Sequence, residues 1–362
     1  MNATKKINEL RKADFTGEKV FVGIDVHNKT WNISIFYNNR FYKKFTTDDV
    51  SAIYKFLTNN FPNAQYYAAY EAGYCGFAPY RELTELGVNV LVVNPADVPT
   101  TDKEKQNKSD AVDSRKLAET LCAGLLHGIY VPSIEDEALR DLQRLRDSIV
   151  KKRTRIKCQI KSFLIKYNIK YFKEFSVSDS WSRAFIEYLT NIQSLTKLAK
   201  VCLDKFLSEL DFYNKQLRTI QKQLKEFFNS PKFAEDFELL QSVPGIGSIS
   251  AIVLLSEIID INRFDNFDKL ASYCGLAPTE HSSGETKRTG KLCKRRNARI
   301  NTTLIESSWV AIRNDPALAK YYRTLTIKKM TATKAIIKVA RKYLRKIMMV
   351  LKTKKPYVCG VA

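Results

Sequence analysis

Hydrophobic and polar positions divide the chain into two kinds of pattern. Up to about residue 130 the apolar residues come in short runs and alternations, the period of strands. Lys19–Val26 reads as a buried strand with an acid, Asp25, at its C-terminal end. Trp31 to Tyr37 alternates, and Arg40 to Thr46 reads as its hairpin partner across Asn38-Asn39. A helix follows from Asp49 to Leu57, then a strand from Tyr66 to Tyr70 that ends on Glu71. A helix from Phe77 to Leu86 leads into the apolar strand Val88–Val93, and a polar loop, Pro99 to Lys108, precedes a helix from Ser109 to Cys122.

Beyond Pro132 the period lengthens to three and four residues. Leu139, Leu142, Leu145, Ile149, Ile156 and Ile160 mark one long amphipathic stretch, Glu137 to Tyr167, without Gly or Pro. A second runs from Leu195 through Leu203, Leu210, Leu217 and Leu224 to Phe227. Together they predict an antiparallel helical hairpin, either a coiled coil that dimerises or a purely intramolecular pair. Ile249–Ile259, Phe267–Cys274, Asn297–Ile312 and Thr331–Val350 read as further helices. Among them Leu276–Gly290 has no apolar period and reads as a polar loop.

Length and composition turn these elements into domains. A chain of 362 residues forms two or three domains with proper cores. The reading is α/β plus α: a polar tail over 1–19, an α/β domain over 20–135, a helical hairpin over 136–230, a mostly helical domain over 231–355 and a tail over 356–362. No run of about 18 apolar residues exists, so no membrane span or membrane partner is expected. The polar start does not read as a signal peptide. Seven dispersed cysteines without a Cys-x-x-Cys pair argue against a zinc site or disulfide framework and for a cytoplasmic setting.

Charge changes the picture most. The net +22 is concentrated: residues 281–355 carry 21 Lys and Arg against 3 Asp and Glu, whereas residues 1–135 balance. A block of that density calls for a polyanion, and nucleic acid is the obvious one.

Candidate chemistry lies in three places. Three antiparallel strands followed by alternating helices and strands is the order of a ribonuclease-H-like fold. Asp25, Glu71, Asp110 and Asp113 fall where that fold places metal ligands. Asp110 and Asp113 share one helix face, and converging carboxylates favour Mg²⁺ or Mn²⁺ in a phosphoryl-transfer site. The same pair also reads as ordinary acids at a helix N-terminus. Pro244-Gly245-Ile246-Gly247 before an apolar helix is the helix-hairpin-helix pattern, in which backbone N–H groups hold a DNA phosphate. In the polar stretch, Ser282 and Ser283 adjoin Gly284 ahead of Lys287, Arg288, Lys294, Arg295, Arg296 and Arg299. A hydroxyl among cations suits attack on a phosphate, and equally a surface turn.

These motifs are collinear: Asp25, Glu71-Ala72-Gly73, Lys108 to Asp113, Pro244 to Gly247, Tyr273 to Pro278, His281 to Glu285 and Glu306 to Trp309. As an ordered set they resemble the "IS one-ten" insertion-sequence transposases, DEDD recombinases related to the Piv invertases, over about residues 20–350. The resemblance implies a RuvC-like domain with Mg²⁺ on Asp25, Glu71, Asp110 and Asp113, a coiled-coil insertion and a C-terminal transposase domain. It implies a nucleophilic serine at the position before the glycine, Ser283, with Ser282 as the alternative. It also implies donor and target DNA as partners, a non-coding bridge RNA that pairs with both, and a dimer that becomes a tetramer on paired DNA. This chain departs from the pattern where Arg296 replaces a usual glycine and Asn301 a common arginine. The rival readings are a RuvC-type metal-dependent nuclease or junction resolvase in which water attacks, and a domesticated, non-catalytic nucleic-acid binder.

Overall fold

The computed structural model describes residues 14–99, 110–171, 175–176, 181–283, 286–292 and 295–360. They form two compact units that meet in sequence at Val131 and Pro132.

The first unit contains β1 (Lys19–Val26), β2 (Trp31–Tyr37), β3 (Arg40–Thr47), α1 (Val50–Asn60), β4 (Gln65–Glu71), α2 (Ala78–Glu85), β5 (Asn89–Val93) and α3 (Asp110–Cys122). Its sheet has the order β3-β2-β1-β4-β5. The β1–β2 and β2–β3 pairs are antiparallel, and β4 runs parallel to both β1 and β5. Asn38 and Asn39 make the tight β2–β3 turn with φ of 48° and 57°, the double left-handed geometry that asparagine tolerates. The parallel steps are crossed by α1 and α2, as parallel pairing requires. Asp49 caps α1, its side chain accepting from the Ser51 amide.

Alternation sorts the sheet into two faces. Val20, Val22, Ile24, Ile33 and Ile35 pack with Ile53 and Leu57 of α1. On the opposite face Ala69 and Val93 pack with Leu117 and Leu121 of α3. This mixed sheet is the arrangement expected of a ribonuclease-H-like domain.

The second unit opens with α4 (Ile134–Lys166), α5 (Arg183–Thr190) and α6 (Lys197–Phe228). Ile156, Ile160 and Leu164 meet Leu203 and Leu210, while Leu139 and Ile149 join Leu217, Leu224 and Phe228, so α4 and α6 run antiparallel. At 33 residues α4 is about 50 Å long. The bases of both helices share one core with α7 (Ala234–Gln241), α8 (Ser248–Ile258), α9 (Phe267–Tyr273), α10 (Ala298–Asn314), α11 (Pro316–Ile327) and α12 (Ala332–Thr353). Hairpin and C-terminal helices are therefore one compact unit. Among the described residues no helix is long and apolar enough to cross a membrane.

One expectation is corrected. Residues read as a polar loop form two paired strands, β6 (Pro278–Ser283) and β7 (Thr286–Leu292). Their polar sequence gives no alternation to detect, because a two-stranded ribbon is held by its own backbone ladder.

Candidate active site

Asp25 and Glu71 end neighbouring strands. The last paired positions of β1 and β4, Ile24 and Tyr70, each immediately precede an acid. Adjacent strands lie about 5 Å apart, so the two acids leave the sheet side by side. Ile24 and Tyr70 belong to the core beneath α1. By alternation the acids then face the other way, toward the side covered by α3.

The direction of α3 brings a third acid to the same end. Ser114 Oγ lies 2.9 Å from Ser34 Oγ, and Ser34 pairs with Gly23. At the other end of α3, Cys122 Sγ lies 3.1 Å from Asn39 Oδ1 in the β2–β3 turn. Helix α3 thus runs antiparallel to β1 and begins over the strand ends. Asp113 directly precedes Ser114 and is half-buried. Asp110 opens the helix, but its side chain lies outside the described residues. Asp25 is 21% exposed, and its Oδ2 lies 2.9 Å from His27 Nε2.

The donor chemistry fits a hard divalent cation: carboxylate oxygens from two strand ends and one helix start. Among the described residues no three His, Cys, Asp or Glu side chains by themselves form a metal cluster.

In the second unit, β6 and β7 pair Ser282 with Lys287 and Ser283 with Thr286. Ser283 is therefore the last residue of its strand, beside the tip. Gly284, Glu285 and Lys294 lie outside the described residues, as do the side chains of Ser282, Ser283, Lys287 and Arg288.

Both roots of this hairpin are clamped. On entry, Asn301 Nδ2 donates to the Cys274 and Gly275 carbonyls at 3.0 and 3.2 Å, and an Arg341 guanidinium N–H donates to the Leu276 carbonyl at 3.1 Å. On exit, the Asn297 amide donates to the Tyr273 carbonyl at 2.9 Å, while its side-chain oxygen caps α10 through the Arg299 and Ile300 amides. Asn297 Nδ2 also donates to Glu257 Oε2 at 2.8 Å. Glu257 is fully buried and accepts a bidentate pair from Arg144 at 2.9 and 2.8 Å. Burial pushes the Glu257 carboxyl up, but the hydrogen bonds and charge of Arg144, with Asn297 and Arg140, hold it below its ordinary value.

Known families match both units. Residues 22–169 match a transposase model of the DEDD, IS110 type, and residues 237–323 match the transposase IS116/IS110/IS902 family. The chain belongs to the IS110-family DEDD transposases. Such enzymes cut and rejoin DNA. Over 83% of this chain it is 28% identical to the putative transposase y4qE of Sinorhizobium fredii, covering 74% of that protein. It is 27% identical over 68% of its length to the transposase for insertion sequence element IS1533 of Leptospira borgpetersenii, covering 72% of it. A further relative, the transposase for IS1111A of Coxiella burnetii, is 25% identical over 79% of this chain and 78% of its own.

Several residues of this transposase carry weight that sequence reasoning missed. His27 lies two positions past Asp25, and a lone histidine gives no spacing to notice. Glu257 is the one charged residue of the helix Ser248–Ile258, and that single acid was the available signal. Asn301, singled out in the sequence only as a departure from the family pattern, is 4% exposed and serves as a brace at the hairpin root, a role that the sequence did not signal. Of the predicted phosphate contacts, Arg295 and Arg296 are exposed, whereas Arg299 Nε lies 3.5 Å from Asp147.

The Pro-Gly-Ile-Gly turn of the transposase joins α7 to α8. Val243 and Ile246 are buried in the core, and Gly247 is exposed at the N-cap of α8. Tyr343 Oη donates to the Pro244 carbonyl at 2.7 Å, fixing the turn against α12.

Proposed function

We propose that this transposase excises and inserts its own insertion sequence by site-specific recombination through a covalent protein–DNA intermediate. Ser283 Oγ attacks a DNA phosphorus. The Oγ–P bond forms as the P–O bond to one flanking nucleoside breaks, the hydroxyl proton is released and the departing oxygen takes up a proton. Energy of the broken ester is thereby retained for rejoining to a new strand. Asp25, Glu71, Asp110 and Asp113 are the residues that hold Mg²⁺ or Mn²⁺. When bound, such an ion supplies charge stabilisation to the phosphate oxygens. Lys287, Arg288 and the 294–299 cations neutralise the backbone, and the Pro244–Gly247 turn holds a phosphate on its amides.

The observation that carries this reading is the meeting of β1, β4 and the start of α3, which gathers acids at one end of the sheet. The clamped hairpin, with Ser283 ending β6, supports the serine. Target choice is assigned to a bridge RNA by the family resemblance, since base pairing can carry sequence that the protein does not read. The enzyme acts as a dimer, and as a tetramer on paired DNA.

The test combines purified protein, Mg²⁺, the RNA flanking the gene and labelled DNA carrying the element junction. Denaturing gels then show whether DNA migrates attached to protein. The expected result is an adduct with the wild type and with Ser282→Ala but none with Ser283→Ala. Cleavage without an adduct in every case overturns the nucleophile and favours attack by water, as in a junction resolvase.

A further inference from the structure

One surface of the second unit is not absorbed by this chemistry. An open groove of about 1600 Å³ runs between the outer face of α12, the tail after Thr353, α9 and α11. Its volume exceeds the range of small-molecule pockets, about 300–1,000 Å³, and suits a stretch of polymer. The floor is apolar and aromatic: Phe267, Tyr321, Met330, Ile337 and Met349.

Cations ring that floor, and among the described residues no acid lines it. Arg341 pairs with Asp268 and Lys346 with Asp315. Lys334, Lys338, Lys342, Arg345 and Lys355 have no carboxylate partner among the described residues. Two of these are held by rings instead. The Arg345 guanidinium lies 4.4 Å over Phe267, and Lys342 Nζ lies 5.1 Å over Tyr321. A ring face orients a cation without cancelling its charge. Along α12, Lys334, Lys338, Arg341 and Arg345 recur at three- and four-residue steps, a row of charge with about 5–6 Å between neighbours.

We propose that this groove binds single-stranded DNA without sequence preference. The proposal rests on the transposase reading, in which cutting and exchanging strands exposes unpaired DNA. Duplex DNA presents only phosphates to a shallow basic face and has no use for an apolar floor. Unpaired bases do, stacking on rings and guanidinium planes while the cations follow the phosphates. Hydroxyl and amide groups that would grip a ribose 2′-OH are scarce here. Among the described residues of the lining, Thr353, Tyr321 and Tyr357 supply the side-chain hydroxyls, and there is no Asn, Gln or Ser. That composition favours DNA over RNA.

The test measures fluorescence anisotropy with the full-length Ser283→Ala chain in EDTA, so binding is read without cleavage whether or not the serine is the nucleophile. Probes are labelled oligo-dT, a duplex of equal length and oligo-U. Replacing exposed Lys334 and Lys338 by Glu is expected to weaken oligo-dT binding about tenfold or more. Losing two phosphate contacts should flatten the plot of log affinity against log salt by about 1.4. Duplex binding stays within about twofold. Tyr321→Ala should weaken oligo-dT binding while leaving its salt slope unchanged. Equal losses on duplex and oligo-dT, a larger loss on oligo-U, or no loss at all would each overturn the proposal. Circular dichroism checks the fold, and Lys355→Glu on the tail replaces the double variant if that one misfolds.

Discussion

The carbonyl oxygen of Ser114 lies so close over Gly23 that a Cβ at Gly23 would collide with it and with the Ala118 amide nitrogen. Gly23 stands two residues before Asp25 on the same face of β1, and Ser114 directly follows Asp113. The absence of one side chain in the strand is what lets the helix carrying Asp110 and Asp113 settle over the end of the sheet.

Gly23→Ala is therefore expected to lift α3 from β1. The overpacking should cost about 1–3 kcal/mol, and DNA cleavage should fall more steeply than stability because the acids separate. Thermal unfolding alongside a cleavage assay checks this. An active variant of wild-type stability would show that the close approach is dispensable.

Asp25→Ala should lower strand cleavage by about a hundredfold to a thousandfold, as expected when a group stabilising transition-state charge is removed. Asp25 is only partly buried, so the unfolding midpoint should change little. Rates measured across a Mg²⁺ titration make the comparison, and near-normal cleavage would remove Asp25 from the site.

The Glu257–Arg144 pair predicts a pH signature. In the wild type the Glu257 pKa is held down, so its contribution to stability is present above the unfolded value of about 4.3 and is lost as pH falls through the lower, folded value. Arg144→Met leaves the carboxylate buried without its bidentate partner, a cost of about 3 kcal/mol or more. Burial then raises the Glu257 pKa, so in the variant this group's contribution falls as pH rises above about 4.3. Denaturant midpoints across the acid range should show the sign of that slope reversing.

Two glycines of one turn are expected to behave oppositely. Gly245 has φ of +92°, and a Cβ there would strike the Ser307 carbonyl oxygen and lie 3.2 Å from the Ala311 nitrogen. Gly245→Ala should destabilise the second unit by more than about 1 kcal/mol. A Cβ at Gly247 would meet nothing within 4 Å, and the φ of −90° there is one that any residue adopts. Gly247→Ala should fold normally yet weaken DNA binding, because the methyl stands where a phosphate would approach the α8 amides. Unchanged DNA affinity in a folded Gly247→Ala protein would exclude the turn as a phosphate site.

Local patterning determined much of this protein. Alternation in Trp31–Tyr37, the Asn38-Asn39 turn and the long three- and four-residue periods of α4 and α6 are properties of neighbouring residues, so they can be read without a fold. The ordered acids, the Pro-Gly-Ile-Gly turn and the serine pair marked the family. Tertiary structure alone decided the rest. It set which sheet face the acids share, because that depends on the β1–β4 register and the path of α3. It turned a polar stretch into a ribbon, because backbone pairing across β6 and β7 needs no apolar code. It gave Glu257, Asn297 and Asn301 their work at the hairpin root, through contacts between residues 26 to 113 positions apart that no local pattern encodes.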